Sequence, residues 1–107
     1  MRIAIDLDGV VWRGALTIPG APDAVHRLGA AGHELVFVTN HALSPAAKAG
    51  ELASHGIADA TVVTSAEAAA HACRELGLVA VLGDPTLVEV LRSAGLPTHD
   101  LRDGPAP

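Results

Sequence analysis

The sequence predicts an α/β fold built on a Rossmann-like parallel sheet. Three observations carry that expectation: short apolar runs alternate with alanine-rich stretches, those stretches open on a capping residue, a proline or both, and they close on glycines. Strands joined by helices of this length run parallel, because each crossover must pack back onto the sheet, which puts helices on both faces. About four such βα units fit a chain of 107 residues, a length that can bury a core without staples.

Arg2 to Leu7 is a short apolar run bounded by Asp8-Gly9 and reads as a buried strand. A polar, glycine-containing excursion follows from Gly9 to Gly20. Pro22 stands where a first helical residue belongs, and Gly32 closes that helix at Ala31. Leu35 to Val38 is the second strand, Ser44-Pro45 starts the next helix and Gly56 ends it. Thr61 to Thr64 is the third strand, with Ser65 capping an alanine-rich helix that ends near Gly77. Leu78 to Leu82 is the fourth; Asp84-Pro85 repeats the cap-then-proline pattern, and Gly95 stops the last helix. Residues 1–96 are therefore expected to form the core segment, and residues 97–107 a polar Pro/Gly tail that frays.

Composition narrows the function. Half the residues are hydrophobic but only 2% are aromatic, so Ala, Val, Leu and Ile must build the core around Trp12 and Phe37. A formal charge of −5 and the absence of any Lys/Arg cluster argue against a nucleic-acid or anionic-membrane partner. Cys73 is the sole cysteine, which rules out an internal disulfide. With no basic, apolar leader and no run long enough to span a bilayer, a cytoplasmic protein is expected.

The chemistry concentrates where the first strand ends. In open parallel sheets ligands bind beyond the carboxyl ends of the strands, where Asp6, Asp8, Thr39 and Asn40 all fall. Residues two apart on an extended segment point the same way, so Asp6 and Asp8 can face one crevice. Two adjacent carboxylates repel unless a cation or a shared proton lies between them. An oxygen-only donor set favours magnesium over zinc. Asp6 can then act as a covalent nucleophile towards phosphorus, and Asp8 as the acid and base that serves the leaving oxygen and the water. Gly9 is expected to turn the backbone sharply and bring amides near phosphate oxygens. Thr39 offers a hydroxyl donor, and the backbone around Asn40 a further N–H.

These residues resemble a known pattern. Ile3-Ala4-Ile5-Asp6-Leu7-Asp8-Gly9-Val10-Val11-Trp12-Arg13-Gly14 and Val36-Phe37-Val38-Thr39-Asn40 resemble the first two motifs of the haloacid dehalogenase superfamily. Within it the likeness is to the NagD-like, p-nitrophenyl phosphate, phosphoglycolate and glycerol-phosphate phosphatases. The resemblance implies a magnesium-dependent phosphatase acting on a small phosphorylated metabolite. It implies Asp6 as nucleophile and metal ligand, and Asp8 as general acid/base with its backbone carbonyl on the metal. Thr39 matches the phosphate-binding hydroxyl, and His41 replaces a second Asn common in the subfamily. A later lysine, a later acidic motif and an inserted cap domain belong to the family pattern and are absent from this sequence. The chain is thus expected to be the N-terminal segment of such an enzyme, or a non-catalytic magnesium- or phosphate-binding remnant that pairs with itself or a complementing chain. A receiver-like signalling domain also uses an acidic pair, but its third strand ends in a phosphorylated Asp, whereas this one ends in Thr64-Ser65.

Other residues have blander readings. Lys48, the only lysine, is expected to be a solvated surface residue. Asp84 is expected to cap a helix rather than bind metal, with Glu89 facing solvent. Trp12 is either packed in the core or part of a flap over substrate. Cys73 is expected in the core. The six histidines form no close ligand pair, and His41 alone borders the expected crevice.

Overall fold

The computed structural model describes residues 1–107. In chain order the elements are β1 (Arg2–Asp6), β2 (Trp12–Arg13), β3 (Leu16–Thr17), α1 (Ala21–Ala30), β4 (Glu34–Thr39), α2 (Pro45–Ser54), β5 (Thr61–Thr64), α3 (Ser65–Cys73), β6 (Val79–Val81), α4 (Pro85–Ser93), β7 (Thr98–Asp100) and a 3-10 turn (Leu101–Asp103). The four expected βα units are all present. Two compact units divide the chain: residues 1–39 with 45–63, and residues 40–44 with 64–107.

The first unit is organised on a three-stranded sheet in the order β1-β4-β5. β1 and β4 are parallel, with Arg2 opposite Glu34 and Asp6 opposite Val38. Side chains alternate across a strand, so Ile5, Leu35, Phe37 and Val62 turn to a core completed by Leu7, Val11, Trp12, Val25, Leu52 and Ile57. α1 opens on Gly20 in the left-handed conformation (φ 83°), with a proline in its first turn, and directs Val25 into this core.

The second unit pairs β6 with β7 in parallel, Val79 opposite Thr98 and Val81 opposite Asp100. Its helices start on side-chain caps, which satisfy amides that a helix cannot pair internally. Thr64 accepts from the Glu67 N–H at 3.2 Å, so the cap of α3 falls one residue before the expected Ser65. Asp84 caps α4, accepting from the Thr86 N–H at 2.8 Å. Ala70, Val81, Val88, Leu91 and Leu96 form this unit's core, with Cys73 packed at its margin.

Two features depart from the sequence expectation. The excursion after β1 contains an antiparallel hairpin, β2 with β3, whose two-residue strands are too short to show periodicity. The chain does not fray at Pro97, because the Val79 N–H donates to the Pro97 carbonyl at 2.9 Å and β7 continues the ladder. On the sheet, Ala4, Val38 and Val63 are exposed. β1 is also an edge strand with its outer hydrogen-bonding groups unpaired by any other strand. An open edge beside an apolar face is a template for association. Light scattering is therefore expected to show an average mass that rises with protein concentration, and a constant monomer mass would refute this.

The ordered C-terminal turn makes one pH prediction. Arg102 donates to the Asp100 carboxylate from its side chain and from its backbone N–H. These bonds, the side-chain ones first, hold the Asp100 carboxyl down at about 2. Unfolded, it titrates at about 3.9. A depressed folded value means the unfolded chain binds the proton more readily, so this contribution is complete above the unfolded value. It disappears as pH falls through about 2. Melting of the wild type is expected to drop between these values more than that of Asp100→Asn, and parallel pH curves would contradict the pairing.

Candidate functional site

β1 ends at Asp6, and the chain turns through Leu7, Asp8 and Gly9. Leu7, fully buried, anchors this turn: its carbonyl accepts from the N–H groups of Val10 (3.1 Å) and Val11 (2.9 Å). Gly9 has φ +81°, a conformation that side-chain-bearing residues rarely adopt. Its N–H donates to the Trp12 carbonyl at 2.7 Å. The Gly9 amide is therefore engaged in closing the turn.

Both acidic side chains are exposed. Asp8 Oδ1 accepts a hydrogen bond from the Trp12 indole Nε1–H at 2.9 Å. The β1–β4 register sets Asp6 level with Val38, so Thr39 ends the neighbouring strand one residue further along. Thr39 lies on the covered side with Phe37, while Asp6 is exposed. The strand ends thus bring the two residues side by side in the sheet, with the hydroxyl on the packed side. Asn40 follows Thr39 in sequence and belongs to the second unit; its carbonyl accepts from the Ser65 hydroxyl at 2.8 Å.

Beneath the turn lies a cluster that the sequence pattern did not reveal. Trp12 is 1% exposed, which decides for core packing over a flap. The His55 ring stacks on it at 4.8 Å between centroids, and Lys48 Nζ lies 5.3 Å from the ring centre. Lys48 is not a solvated surface lysine: it is 3% exposed and paired with Glu51 at 2.8 Å. The cause is helical spacing, since Lys48 and Leu52 are four apart on α2 and both turn inward. The i,i+3 Lys48–Glu51 spacing and the following Leu52 were the signals available in the sequence. Glu51→Leu would strand a buried ammonium, and because solvent reaches this carboxylate the expected loss is about 1–2 kcal/mol. Adding Lys48→Met should recover most of it by removing the unpaired charge. Thermal melts of the single and double variants check this, and an unchanged Glu51→Leu would show the pair to be inert.

Alongside the turn, Gly9, Arg13, Leu16, Thr17, Ile18 and Pro19 line an open groove of ≈ 520 Å³, within the size range of small-molecule sites. Asp84 is, as expected, a helix cap, its carboxyl held below the usual carboxylate range chiefly by the Thr86 N–H. Glu89 faces solvent. His41, exposed, lines a cleft of ≈ 100 Å³ with Ala42, Leu43, Asp84 and Thr86. No group of three or more His, Cys, Asp or Glu side chains gathers to hold a metal. The oxygen-only pair Asp6 and Asp8 nevertheless suits magnesium, which takes one or two carboxylates and keeps several waters.

A family model for haloacid dehalogenase-like hydrolases matches residues 3–97. The chain belongs to the haloacid dehalogenase-like hydrolase family. Among curated proteins, this family member is 40% identical to glycerol-3-phosphate phosphatase from Gallus gallus, over 97% of the present chain and 35% of that protein. Among solved structures, it resembles p-nitrophenyl phosphatase from Archaeoglobus fulgidus at TM-score 0.82 and 29% identity, covering 95% of this chain and 41% of that one. It also resembles a glycerol phosphate phosphatase from Mycobacterium tuberculosis in complex with magnesium, at TM-score 0.77 and 32% identity, covering 97% of this chain and 33% of that one. The haloacid dehalogenase-like chain thus spans about a third of the length of the curated relatives it matches. No helix in it is long and apolar enough to cross a membrane.

Proposed function

We propose that this chain supplies the nucleophile and the acid/base of a magnesium-dependent phosphatase acting on a small phosphate monoester. The observation that carries the reading is the Asp6-x-Asp8 pair, with Asp6 exposed at the end of β1, level with the end of β4. Asp6 attacks phosphorus as the ester P–O bond breaks, and Asp8 gives its proton to the leaving oxygen. Water then attacks the aspartyl-phosphate, Asp8 takes one of its protons, and phosphate departs with Asp6 restored. The Asp6 carboxylate and the Asp8 backbone carbonyl would hold the metal, which when bound offsets phosphoryl charge and aligns the ester. Thr39 and the backbone around Asn40 serve as phosphate donors. The groove lined by Arg13 and Leu16 receives the alcohol portion of the ester. A cytoplasmic setting, rich in phosphate esters, fits this role.

One observation favours a second reading. The sole lysine is committed to Glu51 under Trp12, so no lysine of this chain reaches a bound phosphoryl group. On that reading the chain binds magnesium or phosphate, and turnover waits on a complementing chain or a second copy. The test is hydrolysis of p-nitrophenyl phosphate with and without magnesium by the chain and by Asp6→Asn. Turnover in the parent that is lost in the variant establishes catalysis; no turnover in either, with magnesium binding retained by calorimetry in the parent, leaves the binding reading.

A further inference from the structure

We infer that Trp12 is a positioning residue that fixes the Asp8 carboxylate, with Oδ1 held as an acceptor on the indole and Oδ2 left as the oxygen available for proton transfer. This rests on the acid/base role proposed for Asp8, and goes beyond it by saying which oxygen acts and what holds it. The indole Nε1–H donates to Oδ1 at 2.9 Å. A carboxylate at a strand end turns freely about its side-chain bonds, and each rotatable bond fixed in advance removes an entropic penalty from the reacting geometry.

The indole is itself well held. Trp12 is 1% exposed, so its N–H has no ready exchange of Asp8 for water. His55 stacks on the ring, and the His55 Nδ1 and Thr17 Oγ1 atoms lie 2.6 Å apart, tying that imidazole to β3. Lys48 lies over the same ring, secured by Glu51. The Trp12 carbonyl accepts the Gly9 N–H, so the residue that holds the Asp8 side chain also closes the turn bearing it. In the proton steps, Oδ2–H releases its proton to the leaving oxygen while the ester P–O bond breaks. Oδ2 later takes one proton from the water whose oxygen joins phosphorus, and Oδ1 stays on the indole throughout.

Trp12 is the only tryptophan, so a nitrogen-labelled chain gives a single indole cross-peak. In Asp8→Asn that peak is expected to move upfield and to exchange with solvent at least about tenfold faster, as the carboxamide is a different and less well oriented acceptor for the indole N–H. Trp12→Phe keeps a ring and removes the donor. Three-bond couplings of the Asp8 β-protons are expected to change from a single-rotamer pattern to an averaged one in that variant. Where the parent chain hydrolyses p-nitrophenyl phosphate, Trp12→Phe should lower kcat about tenfold with KM unchanged, the loss of one positioned hydrogen bond. An indole peak indifferent to Asp8→Asn, or unchanged Asp8 couplings in Trp12→Phe, would overturn the inference. Should Trp12→Phe fail to fold, the Asp8→Asn arm decides it. Failure of the functional proposal reads differently: no turnover in the parent, with the Asp8 rotamer still locked.

Discussion

Magnesium-dependent hydrolysis of p-nitrophenyl phosphate is expected to fall by at least about a thousandfold in Asp6→Asn, because the carboxamide cannot form the covalent intermediate. The substitution is nearly isosteric and sits at an exposed strand end, so the folded state should be preserved. Its backbone still pairs with β4, since the ladder opposite Val38 does not involve the side chain. Unaltered circular dichroism and melting, combined with lost turnover, would separate chemistry from folding. Asp8→Asn should be less severe, since nucleophilic attack remains and only proton transfer is lost, a contribution of roughly 10²- to 10⁴-fold. Equal rates in parent and Asp6→Asn would remove Asp6 from the mechanism.

The largest loss of stability is expected from Trp12→Ala, about 3–5 kcal/mol. Trp12 is the largest of the fully buried side chains in the first unit, which contains only one other aromatic, Phe37. Its removal leaves a void among aliphatic neighbours, takes the stacking partner from His55 and uncovers Lys48. It also strips the Asp8 carboxylate of its indole donor. Domains of this size are held by only about 5–15 kcal/mol in total, so the variant should melt many degrees lower or be largely unfolded. A chemical denaturation curve compares it with Trp12→Phe, which retains most of the ring volume and should lose far less. A Trp12→Ala chain as stable as the parent would mean that the first unit is not organised around this residue.

Much of the fold was legible because its signals are local. Thr61–Thr64 stands in the structure at the expected boundaries, and Asp84-Pro85 begins α4 as a cap and first-turn proline should. The hairpin after Gly9 was not legible, since two strands of two residues carry no measurable alternation. β7 was not legible either: Thr98, His99 and Asp100 are polar, and they form a strand only because β6 presents a partner in register. The positions proposed for nucleophile and acid/base, Asp6 and Asp8, were picked out by their place at a strand end. The donor to Asp8 did not, because no local pattern says which neighbour an indole N–H will meet.

The linear order of residues therefore determined the α/β class, the βα units, the helix caps and the placement of Asp6 and Asp8 beyond the first strand. Each of these depends on interactions within a few residues, or on a period that can be read along the chain. The tertiary structure alone decided that Lys48 is buried beside Trp12, and that Trp12 carries His55 on its ring and bonds Asp8. Trp12 is far in sequence from Lys48 and His55, and their meeting is set by packing, where a contact forms only if the remaining surfaces already fit. Asp6-Leu7-Asp8-Gly9 carries the proposed chemistry, and the packing beneath it determines how the Asp8 carboxylate is held.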